Sequence, residues 1–155
     1  MYTKILVPID GSPTSLCAVT EAAGLASLCG AKIHLLHVVD MMAHTYGSEP
    51  AEVYLKQTRP RVMEAGESLL ARTHAELEAD GIKVETDLRE SLGERVSHII
   101  VERAAACGAD LIVLGTHGLR GINRVLMGSD AEQVARTAPV PVMLVRLKNG
   151  KVAPG

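Results

Sequence analysis

The chain has 155 residues and a formal net charge of −2, and 47% of its residues are apolar. This length and composition predict one folded domain and exclude a disordered chain. The charge gives no reason to expect a nucleic-acid partner, and without Phe or Trp the chain lacks the aromatic platform on which single strands stack. No apolar run has the length of a membrane helix and no secretory signal is evident, so we expect a cytosolic, cytoplasmic protein.

The first elements alternate between strand and helix patterns. Lys4–Asp10 is a predicted strand whose consecutive apolar residues suit burial on both faces. Ser12 predicts a helix N-cap, Pro13 the first helical residue and Gly30 the stop. The predicted inward face of this helix comprises Leu16, Val19, Ala23 and Ala26. Lys32–Val39 is the second strand.

The middle of the chain is less regular. Asp40–Thr58 has no sustained period, which favours a long connection, and a helix is predicted from Pro60 to just before Asp80. Lys83–Arg89 alternates apolar and charged residues, as an edge strand does, with Val84, Thr86 and Leu88 facing inward. Ser91–Glu94 resembles a capping box and predicts the start of a third helix.

The last third repeats the alternation. The third helix ends at Gly108, and Leu111–Leu114 is a buried strand. Ser129 and Glu132 form a second capping box, with Ser129 as the N-cap of a helix that runs to Thr137. Val142–Leu147 is the last strand. We therefore expect a single domain over 1–147 and a C-terminal tail over 148–155.

The alternating order of strands and helices predicts an α/β fold with an open, doubly wound parallel sheet. Ligands bind such sheets outside the carboxyl ends of the strands, where the strand order reverses. If the first and fourth strands are neighbours, Asp10 and the turn at Gly115–Gly118 meet in one crevice.

The glycines after the fourth strand have the spacing Gly115-x2-Gly118-x9-Gly128-Ser129. Glycine lets backbone N–H groups approach phosphate, and a helix N-terminus adds unpaired N–H groups and partial positive charge. Arg120 and Arg124 are equally consistent with phosphate contacts and with solvated charges. The alternative interpretation of the whole pattern is three turn glycines and a capping serine.

Single polar residues are more ambiguous. Asp10 could accept hydrogen bonds from ribose or hold a metal, or it could simply form a turn. His34 and His37 in the second strand are most simply packing residues, while His117 is better placed for chemistry. Cys17, Cys29 and Cys107 form no CxxC pair and favour buried free thiols over a redox switch.

Several nucleotide and hydrolase motifs are missing from the sequence. There is no GxxxxGK[ST] phosphate loop, no GxGxxG after the first strand and no GxSxG elbow. The chain has the parts to hold a nucleotide and few of the parts to cleave one, so we assign no catalytic residue.

The segments KILVPIDGS, HLLHVVD and GADLIVLGTHGLRGINRVLMGSDAEQV resemble the universal stress protein family, in its ATP-binding subclass. The resemblance spans Tyr2 to Arg146. It implies a Rossmann-like fold of the adenine nucleotide α-hydrolase type, with strand order 3-2-1-4-5. It also implies an ATP-dependent regulatory homodimer in stress response that pairs through Val142–Arg146.

The resemblance further implies the binding residues. Pro8 and the backbone of Val38 would meet adenine, Asp10 and Gly115 the ribose, and Gly118, Gly128, Ser129 and Asp130 the phosphates, with Mg²⁺ or Mn²⁺. Asp130 is an acid where the family often has a small or apolar residue. Its negative charge would repel the ligand but favours the helix dipole, so we expect its N–H to face the ligand and its side chain to point away. Slow ATP hydrolysis or self-phosphorylation, and binding of AMP or a cyclic adenine nucleotide, stay open as alternatives.

Overall fold

The computed structural model describes residues 1–44, 49–117 and 127–147. The strands are β1 (Lys4–Pro8), β2 (Lys32–Asp40), β3 (Val84–Ser91), β4 (Leu111–Gly115) and β5 (Val142–Val145). The helices are α1 (Pro13–Cys29), α2 (Met41–His44), α3 (Ala51–Val53), α4 (Arg59–Ala79), α5 (Val96–Cys107) and α6 (Ser129–Thr137). A π-helical turn, Tyr54–Thr58, joins α3 to α4.

The five strands form one parallel sheet in the order β3-β2-β1-β4-β5. This confirms the predicted open, doubly wound sheet. The chain runs from β1 outward to β3 and then returns to add β4 on the other side of β1. The strand order therefore reverses between β1 and β4, which is where such folds leave a crevice.

The core consists of two apolar layers, one on each face of the sheet. Ile5 and Val7 of β1 pack with α1 and α4, whereas Leu6 packs with α5 and α6. All three side chains are fully buried. A central strand covered on both faces therefore needs the unbroken apolar run seen in the sequence, because burial of each such side chain contributes about 1.5–3 kcal/mol.

The predicted irregular connection at Asp40–Thr58 is wrong for its described part. Helix α2 follows β2 at once, and α3 and the π-helical turn lead directly into α4. The N–H of Tyr54 donates to the carbonyl of Pro50 at 3.1 Å, and Lys56 pairs with Glu52 one turn away at 2.6 Å. These local bonds stabilise helical structure in a segment whose sequence has no strong apolar period, so hydrophobic periodicity did not predict it.

The helix start predicted from Ser91–Glu94 is also wrong. Ser91 is the last residue of β3, and its hydroxyl donates to the carbonyl of Glu94. The N-cap of α5 is Arg95, which makes no side-chain capping bond. The strand continues because Glu90 and Ser91 pair with the final residues of β2, an interaction between strands that the local pattern did not contain.

Two amphipathic assignments need correction. Leu16 is 39% exposed, and Thr86 is exposed on β3. The buried residues of α1 are Thr14, Ser15, Ala18, Val19, Ala22 and Ala26. Small side chains on this face let α1 lie close to the sheet. The three cysteines are free, as expected, but half-exposed rather than buried.

Candidate nucleotide-binding site

A cavity of about 660 Å³ lies at the carboxyl ends of β1, β2 and β4, at the reversal of strand order. Small-molecule sites commonly have this size. Seven of the residues predicted for the site line it: Pro8, Asp10, Val38, Gly115, Gly128, Ser129 and Asp130. Gly118, Arg120 and Arg124 lie outside the described residues.

The backbone of Val38 forms an open edge on the cavity. The N–H of Ile9 donates to the carbonyl of Leu36 at 2.8 Å, so Leu36 directs its backbone groups toward β1. Backbone direction alternates along a strand, so Val38, two residues on, faces the same side. Pairing between β1 and β2 stops at Pro8 and Leu36. Among the described residues, the N–H and C=O of Val38 are thus a donor and an acceptor that β1 has left unpaired.

His37 contacts β1 just beyond the point where the ladder stops. Its Nδ1 lies 2.7 Å from the carbonyl oxygen of Ile9, and because a carbonyl only accepts, Nδ1 carries the hydrogen. Among the described residues, the same carbonyl oxygen accepts no hydrogen bond from the N–H of Val38. The ring also packs against Gly66 of α4, where an added Cβ would lie 2.8 Å from His37 Cδ2. A histidine that the sequence suggested was only packing therefore helps to define the cavity wall.

Asp10 forms the turn between β1 and α1. Its Oδ1 accepts the N–H of Ser12 at 2.9 Å, and Gly11 between them has a φ of +79°. The hydroxyl of Ser12 in turn accepts the N–H of Ser15 at 3.2 Å, which confirms Ser12 as the N-cap of α1. The turn-forming interpretation of Asp10 is therefore correct, and Asp10 is also among the residues that line the cavity.

Close packing explains why two positions of the Gly115-x2-Gly118-x9-Gly128-Ser129 pattern have glycine. A Cβ on Gly115 would lie 2.8 Å from the carbonyl carbon and 2.9 Å from the Cβ of Thr14, at the start of α1. A Cβ on Gly128 would lie 3.1 Å from the carbonyl oxygen of Thr116. The N–H of Gly128 donates to that same oxygen at 2.7 Å, so this amide is already used within the protein.

The start of α6 differs from the prediction. Gly128, extended at φ −60° and ψ 148°, is the N-cap, and Ser129 is the first helical residue rather than the cap. The bond from Gly128 to Thr116 decides this, because it holds the glycine against the end of β4. The first three helical N–H groups, those of Ser129, Asp130 and Ala131, have no partner inside the helix and stand at its positive end.

The carboxylate of Asp130 is held by the neighbouring helix. Its Oδ1 accepts the N–H of Ser97, in the first turn of α5, at 3.1 Å. The bond supplies the capping acceptor that Arg95 does not give to α5. The sequence offered no signal for it, since the two residues are 33 positions apart.

His117 and His34 have different surroundings. His117 lines the cavity beside Gly115, and its Nδ1 lies 2.8 Å from the hydroxyl of Thr116. Its carbonyl oxygen accepts the hydroxyl of Thr14, which ties this loop to α1. His34 is not among the described residues that line the cavity. It lies 3.2 Å from Glu85 on β3.

Charged groups beside His34 belong to the sheet rather than to the cavity. Hydrogen bonds from Lys4 and His34 hold the pKa of Glu85 below its ordinary value. Burial of Asp87 raises its pKa, but hydrogen bonds and charges from Arg89 and Arg103 outweigh this and lower it. These contacts pair the charges of β3 with those of β1 and α5.

Sequence reasoning missed residues that reach the cavity from other elements. They are Ala43 of α2, Val62 of α4, and Val96 and Ile100 of α5. Helical periodicity can indicate which residues face inward, but it cannot show that Val62, Val96 and Ile100 turn toward a cavity rather than the solid core. None of the helices in the described part of the chain combines the length and apolar character needed to cross a membrane.

Together, the fold and the cavity define a doubly wound α/β protein with a ligand-sized crevice at its topological switch point. The model of the universal stress protein family matches residues 1–146, and the chain belongs to that family.

Relatives and solved structures agree with this assignment. A universal stress protein of Methanocaldococcus jannaschii is 35% identical over 146 residues, which cover 94% of this chain and 83% of that protein. A hypothetical protein solved as a test case for assigning biochemical function from structure superposes with a TM-score of 0.83 and 29% identity, covering 97% of this chain and 99% of its own. A universal stress protein in complex with cAMP superposes with a TM-score of 0.66 and 27% identity, covering 93% and 97%.

Proposed function

We propose that this protein binds an adenine nucleotide, ATP with Mg²⁺ or Mn²⁺, in the cavity and acts as a nucleotide-dependent regulator. The observation that carries the proposal is the convergence of three features on one cavity. These are the backbone edge of Val38 that β1 leaves unpaired, Asp10 at the end of β1 and the start of α6. They supply the contacts that a base, a ribose and a phosphate tail each require.

Each part of the nucleotide has a matching group. The exocyclic amine of adenine would donate to the carbonyl of Val38, and a ring nitrogen would accept its N–H, as a neighbouring strand would. Asp10 would accept from ribose hydroxyls. The N–H groups of Ser129, Asp130 and Ala131 would bind phosphate oxygens, which favours the first turn of α6 over Gly128 as the phosphate site.

The residues present also fit a hard divalent cation. Mg²⁺ prefers oxygen ligands and usually combines one or two carboxylates with substrate phosphates. Asp10 and Asp130 both line the cavity, and their carboxylates would be the protein ligands of a cation held with the phosphates. The cation would neutralise part of the phosphate charge.

A cyclic adenine nucleotide is the second candidate ligand. The solved universal stress protein in complex with cAMP shares 27% identity and nearly the whole length of this chain. The edge of Val38 would meet the same base in either ligand, so direct competition separates the two.

We also propose a homodimer that pairs through Val142–Arg146. Strand β5 is at the edge of the sheet, and Met143 and Leu144 are each 36% exposed there. An edge strand with exposed apolar residues is a template for pairing with another chain. A second copy that adds its own β5 would cover both side chains.

Isothermal titration of the purified protein with ATP, AMP and cAMP, each with and without Mg²⁺, tests the binding proposal. Mass spectrometry of any co-purifying nucleotide gives an independent answer. We expect saturable binding of at least one adenine nucleotide. Absence of binding at millimolar concentrations of all three would refute the proposal.

A matched pair of variants locates the ligand. Val62→Trp adds a large ring to the cavity wall and should weaken binding about tenfold or more, which corresponds to 1.4 kcal/mol. Leu55→Trp adds the same ring at a site that is 60% exposed and should bind like the wild type. Unchanged binding by a folded Val62→Trp variant would place the ligand elsewhere.

A further inference from the structure

The described lining of the cavity is acidic. Asp10, Asp40 and Asp130 line it, and no Lys or Arg does so among the lining residues that the structure describes. Any phosphate tail therefore brings further negative charge toward existing carboxylates. How strongly each carboxylate opposes the tail depends on its distance from the phosphates and on what already neutralises it.

Asp130 is itself one of the three residues whose N–H groups are the proposed phosphate donors. It stands between Ser129 and Ala131, whose N–H groups together with its own form the first turn of α6. Its charge also occupies the positive end of the helix, which would otherwise favour a phosphate. The residue thus supplies one N–H donor to the tail and one like charge beside it.

The charge of Asp130 is not neutralised by a cation among the described residues. Its side chain accepts a hydrogen bond from the backbone N–H of Ser97, a neutral donor. Glu132, the other acid in the first turn of α6, pairs instead with Arg136 at 2.9 Å. Among the described residues, Glu132 thus has a cationic partner, whereas Asp130 lines the cavity and has only the partial positive charge at the start of α5 beside its carboxylate.

We infer that Asp130 determines which adenine nucleotides the site prefers, by opposing binding in proportion to the charge of the phosphate tail. This inference rests on the proposed function. The preferred ligand class is an adenine nucleotide with one phosphate, or a longer one whose charge a divalent cation has partly neutralised. Free ATP is the ligand that Asp130 penalises most.

Asp130→Asn tests the inference with little structural change, because the amide oxygen can still accept the N–H of Ser97. Titrations with AMP and ATP in EDTA at fixed ionic strength should show ATP binding strengthened about fivefold and AMP binding about twofold or less, as expected for a partly screened charge at an exposed site. Added Mg²⁺ should reduce the gain for ATP. Circular dichroism and thermal unfolding verify that the variant is folded, and Asp130→Ser provides a second neutral side chain.

Glu132→Gln is the matched control, since it removes the same charge from the same helical turn at a site paired with Arg136 and absent from the described lining. It should leave the ratio of AMP to ATP affinities at the wild-type value. Equal gains for AMP and ATP in Asp130→Asn, or an equal change in Glu132→Gln, would overturn the role of Asp130. Wild-type protein that binds none of ATP, AMP and cAMP, with or without Mg²⁺, would instead refute the proposed function.

Discussion

Gly115→Ala should destabilise the protein even without a ligand. An added Cβ would lie 2.8 Å from the carbonyl carbon of Thr14 and 2.9 Å from its Cβ and carbonyl oxygen. Carbon atoms in contact are ordinarily about 3.5–4.0 Å apart, so the overlap is about 0.7 Å or more. Most of it falls on backbone, which cannot rotate away as a flexible side chain would.

The start of α1 has little freedom to relieve this overlap. Ser12 caps the helix, Asp10 fixes the preceding turn, and the hydroxyl of Thr14 donates to the carbonyl of His117. Overpacking of this kind costs about 1–3 kcal/mol. We expect a loss near 2 kcal/mol, which lowers the melting temperature by about 4–8 °C in a domain of this size.

Urea unfolding followed by far-ultraviolet circular dichroism measures the effect as a lower midpoint at an unchanged m value. Gly24→Ala is the control, because Gly24 lies in the middle of α1 with nothing within 4 Å of an added Cβ. It should stabilise by about 0.5–1 kcal/mol. If Gly115→Ala unfolds at the wild-type midpoint and loses only nucleotide affinity, the packing explanation is wrong and Gly115 serves the ligand alone.

Three further predictions concern the N-termini of two helices, the loss of stability at acid pH and the edge of the sheet. Ser129→Ala should change the free energy of unfolding by less than about 0.5 kcal/mol, whereas Ser12→Ala should lower it by about 1 kcal/mol, because only Ser12 is an N-cap. Chemical denaturation of the two variants measures both changes. The hydrogen bond from Lys4 lowers the pKa of Glu85 in the folded protein. Ionised Glu85 therefore stabilises the fold fully above its ordinary pKa of about 4.3, and this contribution is lost as the pH falls through the lower folded-state pKa. Urea midpoints measured between pH 6 and 3 should decline less in Glu85→Gln than in the wild type. Leu144→Glu should convert the proposed dimer to a monomer in sedimentation velocity, since it places a charge on the exposed edge.

Each of these predictions has a result that contradicts it. Equal losses in Ser129→Ala and Ser12→Ala would mean that the hydroxyl of Ser129 does cap α6. An identical decline of stability in acid for Glu85→Gln and wild type would mean that Glu85 does not contribute to the pH dependence of stability. Leu28→Glu, at an 82% exposed position on α1, should leave the oligomer unchanged, and a monomer from both variants would point to a general effect of charge.

Much of the fold could be predicted from the sequence, because it depends on interactions between residues that are close along the chain. The run of Ile5, Leu6 and Val7 identified a strand buried on both faces, because burial needs apolar residues at every position. Ser12 and Pro13 identified the start of α1, because a cap depends on groups only a few residues apart. The alternation of such elements then determined a parallel, doubly wound sheet, since a crossover of helical length permits little else.

Tertiary structure decided the details of the site. Gly128 rather than Ser129 caps α6 because its N–H binds the end of β4, and Asp130 serves α5 through Ser97. The backbone of Val38 faces the cavity because the pairing of β2 with β1 ends at Leu36 and Pro8. Each of these interactions joins residues from different elements, and a one-dimensional pattern does not record which residues of different elements lie close together.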